Sequence, residues 1–151
     1  MKGDRKIGFV CSHGGHFVEV LQLMEGLGGY PHFLLTYDEK ATSTLEKTYT
    51  IRNFARNPLS ILSGLFKILS IFLREKPEVL LSTGAEIALP VFYIGKFLFR
   101  TKLIYMECSA QVYTPSLTGR LVYPISDLFL VQWESLLRRY GPKAKYVGGL
   151  I

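Results

Sequence analysis

Cysteines and long apolar runs are scarce in this sequence, and each scarcity excludes a class of protein. Two cysteines among 151 residues are too few for a disulfide scaffold or a four-cysteine zinc site, which indicates a reduced intracellular chain. The longest apolar stretch, Leu59 to Leu73, is shorter than the ~20 residues that a bilayer-spanning helix needs. The apolar run after the basic N-terminus is shorter than the core of a signal peptide. We therefore expect a cytoplasmic chain without a spanning helix.

Acidic residues are also in deficit, and the deficit is local. Twelve acidic and eighteen basic residues give a net charge of +6. Between Arg52 and Lys102, eight basic and three acidic residues give 8 − 3 = +5, in the most apolar third of the chain. This coincidence fits helices lying in an anionic membrane interface, although core helices with solvated ends would look similar. Nucleic-acid binding is disfavoured, because apolar side chains interrupt the basic residues.

The apolar patterns alternate between strand and helix, which is typical of a parallel sheet covered by helices. We predict helices from Gly15, over Leu59 to Leu73 and over Ile87 to Phe99, with Asn57-Pro58 as a start signal for the second. We predict strands over Ile7–Cys11, His32–Thr36, Tyr49–Ile51, Val79–Ser82, Leu103–Glu107, Leu128–Gln132 and Ala144–Val147. The alternation predicts an α/β fold.

A histidine- and glycine-rich turn, C-S-H-G-G-H, lies between the first strand and the first helix. Ligands bind at this edge of an open parallel sheet. Gly14 and Gly15 permit close backbone approach, and Ser12 and the N–H groups of the helix favour phosphate. His16 is a candidate for accepting a proton from an attacking hydroxyl or for binding phosphate oxygens. The alternative is that His16 only caps the helix.

Three further features lie at predicted strand ends. Glu19 lies one turn after His16, where it could orient the imidazole or remain a solvated acid. The segment S-T-G-A-E repeats the strand, turn and helix arrangement, and adds Thr83 and Gly84 to the predicted cleft. Glu107 is either a ligand for sugar hydroxyls or part of an internal hydrogen-bonded pair.

The remaining candidates lie in the last third of the chain. P-S-L-T-G-R combines the hydroxyls of Ser116 and Thr118 with a cation, which suits phosphate or sugar but also resembles a generic loop. Trp133 fits the core, a sugar-stacking face or an interface. The two cysteines are interpreted as small buried hydrophobes. No cluster of carboxylates has metal-ligand spacing, so we predict no metal and no cofactor.

Six motifs occur in order along almost the whole chain: V-C-S-H-G-G-H-x-x-E, S-T-G, I-Y-M-E-C-S-A, P-S-L-T-G-R, D-L-F-L-V-Q-W-E and K-Y-V-G-G-L-I. Together they resemble the acceptor-side, membrane-associated subunit of the split UDP-N-acetylglucosamine transferase that adds the second sugar in dolichol-linked oligosaccharide synthesis. The PssD and CpsF type subunits of bacterial and archaeal polysaccharide synthesis share them.

The resemblance implies a single Rossmann-like domain over residues 1–151, equivalent to the N-terminal half of a GT-B glycosyltransferase. It implies a polyprenyl-pyrophosphate-linked acceptor and a separate partner chain that binds the UDP-sugar. In its light, His16 and Glu107 are the predicted catalytic residues, and the glycine-rich turn meets acceptor phosphate. The predicted partner interface comprises Trp133, Tyr146, Gly148, Leu150 and Ile151.

Eukaryotic members of this family carry an N-terminal membrane anchor that this sequence is expected to lack. The basic, apolar helices are then the remaining route to the membrane, on its cytoplasmic face. The predicted contacts are Leu62, Phe66, Lys67, Arg74 and Lys96. Two functions follow as hypotheses: an inverting sugar transfer for which this chain supplies the acceptor side, or a non-catalytic adaptor that positions and activates a catalytic partner.

Overall fold

The computed structural model describes residues 4–37, 47–52 and 57–150. These residues include seven strands: β1 (Ile7–Val10), β2 (His32–Tyr37), β3 (Thr48–Ile51), β4 (Val79–Ser82), β5 (Lys102–Met106), β6 (Leu128–Val131) and β7 (Ala144–Tyr146). All pair in parallel in the order β3-β2-β1-β4-β5-β6-β7. Each predicted strand is confirmed, with bounds within one residue of those observed.

The helices described are α1 (Gly15–Gly26), α2 (Pro58–Glu75), α3 (Ala88–Phe99), α4 (Leu117–Val122) and α5 (Leu137–Tyr140), with a 3₁₀ turn over Glu134–Leu136. The predicted start of α2 is confirmed, because the Asn57 side chain accepts a hydrogen bond from the N–H of Leu59 at 3.1 Å. The helix α4 was not predicted; it occupies the segment interpreted as a binding loop. The 3₁₀ turn and α5 were not predicted either, since both are shorter than the periodic pattern that identifies a helix.

Alternate side chains of the strands enter two separate apolar cores, one on each face of the sheet. The smaller core joins α1 to residues such as Phe9 and Leu34, and the larger joins α2, α3 and α4 to residues such as Phe33 and Phe129. The prediction of helices on both faces is therefore confirmed.

The sheet reverses its direction of growth between β1 and β4, which are neighbours although far apart in sequence. Val10 pairs with Ser82, so the two strands end level with each other. In an open parallel sheet this switch point is where ligands bind. The turn after β1 and the turn after β4, the two predicted parts of the cleft, therefore lie side by side.

Within the described residues, no helix combines the length and the apolar character needed to cross a bilayer. The 18 residues of α2 instead divide into a buried row that includes Ile68 and Phe72 and an exposed row that includes Leu62 and Phe66. The apolar residues on most sides of this helix would suit burial on most sides, but only one side of α2 is buried in the described structure.

Candidate functional site

The turn after β1 depends on a glycine whose backbone conformation other residues rarely adopt. Gly14 has φ of 85° and precedes α1, where its carbonyl accepts from the N–H groups of Phe17 and Val18. Its side is open, because a Cβ there would meet no atom within 4 Å. Gly15 is also exposed and begins α1. The two glycines therefore leave the backbone at the start of α1 accessible to a ligand.

Reciprocal hydrogen bonds fix His16 to the neighbouring turn. Its Nδ1 lies 3.0 Å from the carbonyl oxygen of Thr83, and the Thr83 hydroxyl donates to the carbonyl of His16 at 2.9 Å. Because a carbonyl only accepts, Nδ1 carries the proton, and Nε2 of the neutral ring is left with its lone pair. The geometry does not favour the interpretation of His16 as a helix cap, because the N-cap of α1 is Gly14 and Nδ1 of His16 contacts a carbonyl outside this helix.

The imidazole packs closely against the second glycine-containing turn. A Cβ at Gly84 would lie 2.7 Å from Cε1 of His16, and φ at this glycine is 127°. The N–H of Gly84 donates to the Ser82 hydroxyl at 3.1 Å, which holds the turn in place. Thr83 and Gly84, in the turn that follows β4, thus hold the side chain of His16 in position.

An open cleft of about 600 Å³ lies in front of these turns. Among the described residues, its lining is polar and includes no lysine or arginine: Ser12, His13, Gly14, His16, Tyr37, Ala85 and Glu86. Burial and, to a smaller extent, the charge of Glu86 raise the pKa of the Tyr37 phenol to about 12, so this residue stays protonated at neutral pH. The described part of the cleft therefore offers hydroxyl and imidazole groups together with the carboxylate of Glu86.

Glu19 is fully buried, so the prediction that it could be a solvated acid is wrong. Its Oε1 accepts from the N–H of Ser109 at 2.8 Å and from Nε2 of Gln132 at 3.0 Å, while Oε2 has no hydrogen-bond partner among the described residues. Because Thr83 already holds Nδ1 of His16, Glu19 does not take that position. Its carboxylate instead joins α1 to the loops after β5 and β6.

Glu107 is fully buried and its carboxylate is occupied by internal donors. Oε1 accepts from the N–H of Cys108 at 3.1 Å, and Oε2 accepts from the N–H and the hydroxyl of Ser116 at 3.1 and 3.0 Å and from the Tyr140 hydroxyl. Burial, and then the hydrogen bond to Glu107, raises the pKa of Tyr140. The geometry therefore favours the internal hydrogen-bonded network over direct contact with substrate, and it does not support a catalytic role for Glu107.

Ser116 and Thr118, which were predicted to bind phosphate or sugar, lie at the start of α4. Ser116 caps α4, accepting from the N–H of Gly119 at 2.9 Å while it donates to Glu107. Thr118 lies half-buried in the first turn of α4. The prediction of ligand contacts for Ser116 is corrected, because its hydroxyl is already engaged on both sides.

Three potential metal ligands approach one another behind His16. His16, Glu19 and Cys108 each place a ligand atom within 4.8 Å of the other two. Metal ligation needs the thiolate, but burial and, to a smaller extent, the charges of Glu19 and Glu107 raise the pKa of the Cys108 thiol, which disfavours that form.

The prediction that the cysteines are small buried hydrophobes holds fully for Cys11, which is buried and whose pKa is raised by burial to about 12. Cys108 is only half-buried.

A second cavity, of about 410 Å³, lies at the same edge of the sheet beyond β5. It is lined by Tyr113, Thr114, Pro115, Arg120 and Arg139. Arg120 is the cation beside the hydroxyls of P-S-L-T-G-R, whereas Arg139 belongs to no motif in the sequence. Arg139 follows the sole tryptophan by six residues in an unpredicted helix, and no local pattern brings the two arginines together.

The segment predicted to contact a partner runs along the end of the sheet. Trp133 and Tyr146 are exposed by 43% and 51%, and the Trp133 indole N–H donates to the carbonyl of Ser109 at 2.7 Å. Gly148 has φ of 83°, and the N–H of Leu150 donates to the Gln132 side chain at 2.8 Å. Ile151 lies outside the described residues. These surfaces are available for contact, and the interface stays a prediction.

The predicted membrane contacts on α2 lie on one surface. Leu59, Leu62, Phe66 and Leu73 recur at helical spacing and are 53–73% exposed. Lys67 and Arg74 are exposed beside this row. Lys96 of α3 is different: its ammonium pairs with both carboxylate oxygens of Asp127 at 2.9 Å. The same carboxylate also pairs with Lys102 at 3.6 Å. Among the described residues, Lys96 is therefore engaged within the protein, unlike Lys67 and Arg74, and its membrane contact stays a prediction.

The fold and its edge site define a Rossmann-like domain of the GT-B kind. MurG of Acinetobacter baumannii superposes with a TM-score of 0.75 at 16% identity, over 95% of this chain and 45% of that one. A UDP-N-acetylglucosamine 2-epimerase superposes with a TM-score of 0.74 at 13% identity, over 97% and 49%. At such low identity these likenesses establish the fold alone.

The chain belongs to the Alg14 family, since residues 38–150 match the family described as "Oligosaccharide biosynthesis protein Alg14 like". Proteins named UDP-N-acetylglucosamine transferase subunit ALG14 are 43% identical over 100 residues in Candida albicans, 35% over 130 in Debaryomyces hansenii and 28% over 176 in Rattus norvegicus. The matches cover 62%, 76% and 94% of this chain. They span 44%, 56% and 81% of those relatives. The family predicted from the motifs is confirmed.

Proposed function

We propose that this chain is the acceptor-side subunit of a two-chain glycosyltransferase, acting as one domain over residues 1–151. A partner chain binds the UDP-sugar, and the two together transfer a sugar, N-acetylglucosamine by analogy with the named relatives, to a polyprenyl-pyrophosphate-linked saccharide. The observation that carries the proposal is the contact of His16 Nδ1 with the Thr83 carbonyl at the switch point, which leaves Nε2 as the nitrogen that can accept a proton from a substrate. The name of these relatives, a transferase subunit, supports the division between two chains.

His16 then acts as the general base. As the acceptor hydroxyl attacks the anomeric carbon of the UDP-sugar, Nε2 takes its proton, the new bond between oxygen and carbon forms, and UDP leaves with the electron pair of the broken bond. The Thr83 carbonyl accepts from Nδ1 and stabilises the imidazolium that results. No cation is among the cleft residues that the structure describes, and in this proposal the partner stabilises the leaving diphosphate.

The test is sugar transfer by the purified chain reconstituted with its partner, using radiolabelled UDP-N-acetylglucosamine and a short-chain lipid acceptor. His16→Ala is expected to lower kcat by a factor of 10² to 10⁴, the usual contribution of a general base, while assembly is unchanged. His32→Ala is the matched control. Its ring lies at the opposite end of the strands, with Nδ1 on the carbonyl of Tyr30, and its turnover should equal the wild type's.

Two results would contradict this proposal. Wild-type turnover of His16→Ala would remove the residue from the mechanism. High activity of the partner without this chain, rising only modestly when it is added, would support the non-catalytic adaptor instead.

We further propose that α2 holds the protein on the cytoplasmic face of an anionic membrane. Apolar residues of its exposed row would enter the interface while Lys67 and Arg74 meet lipid phosphates. Co-sedimentation with phosphatidylglycerol vesicles should fall in Lys67→Glu and in high salt. Lys145→Glu makes the same charge change on the exposed edge strand β7 and should have little effect. Equal losses in both variants would show a non-specific charge effect and refute the assignment to α2.

A further inference from the structure

The second cavity carries positive charge without a matching negative charge. Arg120 and Arg139 line it together, and none of the described residues that line it is acidic. Among the described residues, neither guanidinium takes part in an ion pair. Two like charges at one cavity repel each other unless an anion lies between them. Arginine is also the residue that binds phosphate most strongly, through two parallel hydrogen bonds.

The cleft at His16 has the opposite character. Its described lining contains two histidines and Glu86, and no lysine or arginine is among those residues. Histidine, hydroxyl and carboxylate groups suit a sugar that presents hydroxyl groups, whereas a pyrophosphate placed there would face the charge of Glu86. The charged part and the reacting part of a lipid-linked acceptor are therefore matched by different places on this chain.

We propose that the cavity between Arg120 and Arg139 binds the pyrophosphate of the lipid-linked acceptor, while the reacting sugar lies in the cleft at His16. This inference deepens the proposed function and rests on it. It reassigns the pyrophosphate from the glycine-rich turn to a pair of arginines some distance along the same edge of the sheet.

The strand order gives the two places a separation that fits one acceptor molecule. The His16 cleft lies over β1 and β4, and the arginine cavity lies beside the loops that follow β5 and β6. The centres of these two strand pairs are two strand spacings apart, which is about 10 Å at ~4.8 Å per strand. A single sugar with its pyrophosphate has a length of this order.

The surroundings of the cavity favour a lipid pyrophosphate over that of a soluble nucleotide. Leu117 and Leu121, which share a face of α4 with Arg120, are exposed by 73% and 43%, and Tyr113 is exposed by 73%. Exposed apolar side chains next to paired cations suit the first isoprene units next to a pyrophosphate. A nucleotide presents a polar ribose at that point, which these leucines would not match.

The experiment measures binding of geranyl pyrophosphate to the purified chain by calorimetry, with inorganic pyrophosphate, UDP and phosphatidylglycerol vesicles as the other probes. We compare the wild type with Arg120→Gln, Arg139→Gln and the double variant. Arg138→Gln is the matched control, because this exposed neighbour in α5 does not line the cavity. Each cavity substitution should weaken geranyl pyrophosphate binding about tenfold or more, and the control should not. Circular dichroism checks that all variants fold.

Reconstitution with the partner separates this inference from the proposed function. The double variant should raise the KM for the lipid acceptor while kcat stays close to wild type, whereas His16→Ala lowers kcat. Arginine-dependent binding in a chain that supports no transfer would uphold the site and refute the proposed function.

Three outcomes would overturn the site. One is unchanged acceptor affinity and KM in the double variant. Another is UDP binding as tightly as geranyl pyrophosphate and competing with it, which would assign the cavity to the nucleotide. The third is arginine-dependent binding to phosphatidylglycerol vesicles that geranyl pyrophosphate fails to displace, which would assign it to the bulk lipid.

Discussion

Replacing Gly84 with alanine should displace the imidazole of His16, the proposed base, while the histidine itself is left unchanged. A Cβ on Gly84 would lie 2.7 Å from Cε1 of His16, whereas ordinary contacts begin at 3.4 Å, so the ring has to move by at least 3.4 − 2.7 = 0.7 Å. A shift of that size stretches the 3.0 Å contact between Nδ1 and the Thr83 carbonyl to or beyond the limit of a hydrogen bond. A misplacement of about 1 Å at a reacting group can cost a factor of about 10² in rate.

The same substitution has a cost in folding. Gly84 has φ of 127°, and forcing a side-chain-bearing residue into such a region costs about 1–3 kcal/mol. Gly84→Ala should therefore lower the free energy of unfolding by about this amount, measured by urea titration. It should lower kcat in the reconstituted transfer assay by about 10²-fold.

Gly26→Ala is the matched control for this prediction. Gly26 is exposed at the end of α1, and a Cβ there would meet no atom within 4 Å. Alanine should leave activity unchanged and stabilise the helix by about 0.5–1 kcal/mol. A fully active Gly84→Ala variant would refute the argument that the position of the imidazole sets the rate, whereas equal losses of activity in both variants would mean that the assay reports a general effect.

Further predictions concern the buried acids. Tyr140→Phe removes a donor to buried Glu107 and should lower the free energy of unfolding by about 1–3 kcal/mol in urea titration; an unchanged midpoint would contradict the network. Burial alone would raise the pKa of Glu75, but hydrogen bonds from Tyr49 and Lys6 hold it below its usual range. The stability from Glu75 is therefore present above its unfolded pKa of about 4.3 and is lost as pH falls through the lower folded value. Glu75→Gln should flatten the acid side of a plot of stability against pH, and a curve parallel to the wild type's would contradict it. Gln132→Leu removes a donor to buried Glu19 and should lower the free energy of unfolding by about 1–3 kcal/mol; unchanged stability would show that this contact contributes nothing.

The strands and long helices could be predicted because each depends on a local pattern. Continuous apolar runs of about four residues, as in β5 and β6, fit strands covered on both faces, and Asn57 with Pro58 marks the start of α2 by known capping chemistry. The short helix α4 also has a local cap, Ser116, but its six residues are too few to show a periodic pattern. What fixes it is a tertiary contact, since Ser116 is held by a carboxylate nine residues earlier in the chain.

The site could be predicted only where its parts follow strand ends. His16 and the two glycine-containing turns belong to this class, because the topology of a parallel sheet brings such ends together. The roles of Glu19 and Glu107 could not be predicted, since both depend on distant donors, such as Gln132 at a separation of 113 residues from Glu19. Arg120 and Arg139 meet only because α4 and α5 pack at the same edge.

The distribution of charge explains why, on the proposed function, this chain needs a second one. Glycosyl transfer requires a base for the acceptor hydroxyl and positive charge for the leaving diphosphate, and the two have to stand on opposite sides of the anomeric carbon. His16 supplies the first requirement, whereas Arg120 and Arg139 lie outside the described lining of its cleft. An arginine moved into the cleft would stabilise the leaving group only from the side of the attacking oxygen, and it would disfavour the imidazolium that His16 becomes. A separate chain facing the cleft avoids this conflict if its cations lie on the far side of the sugar.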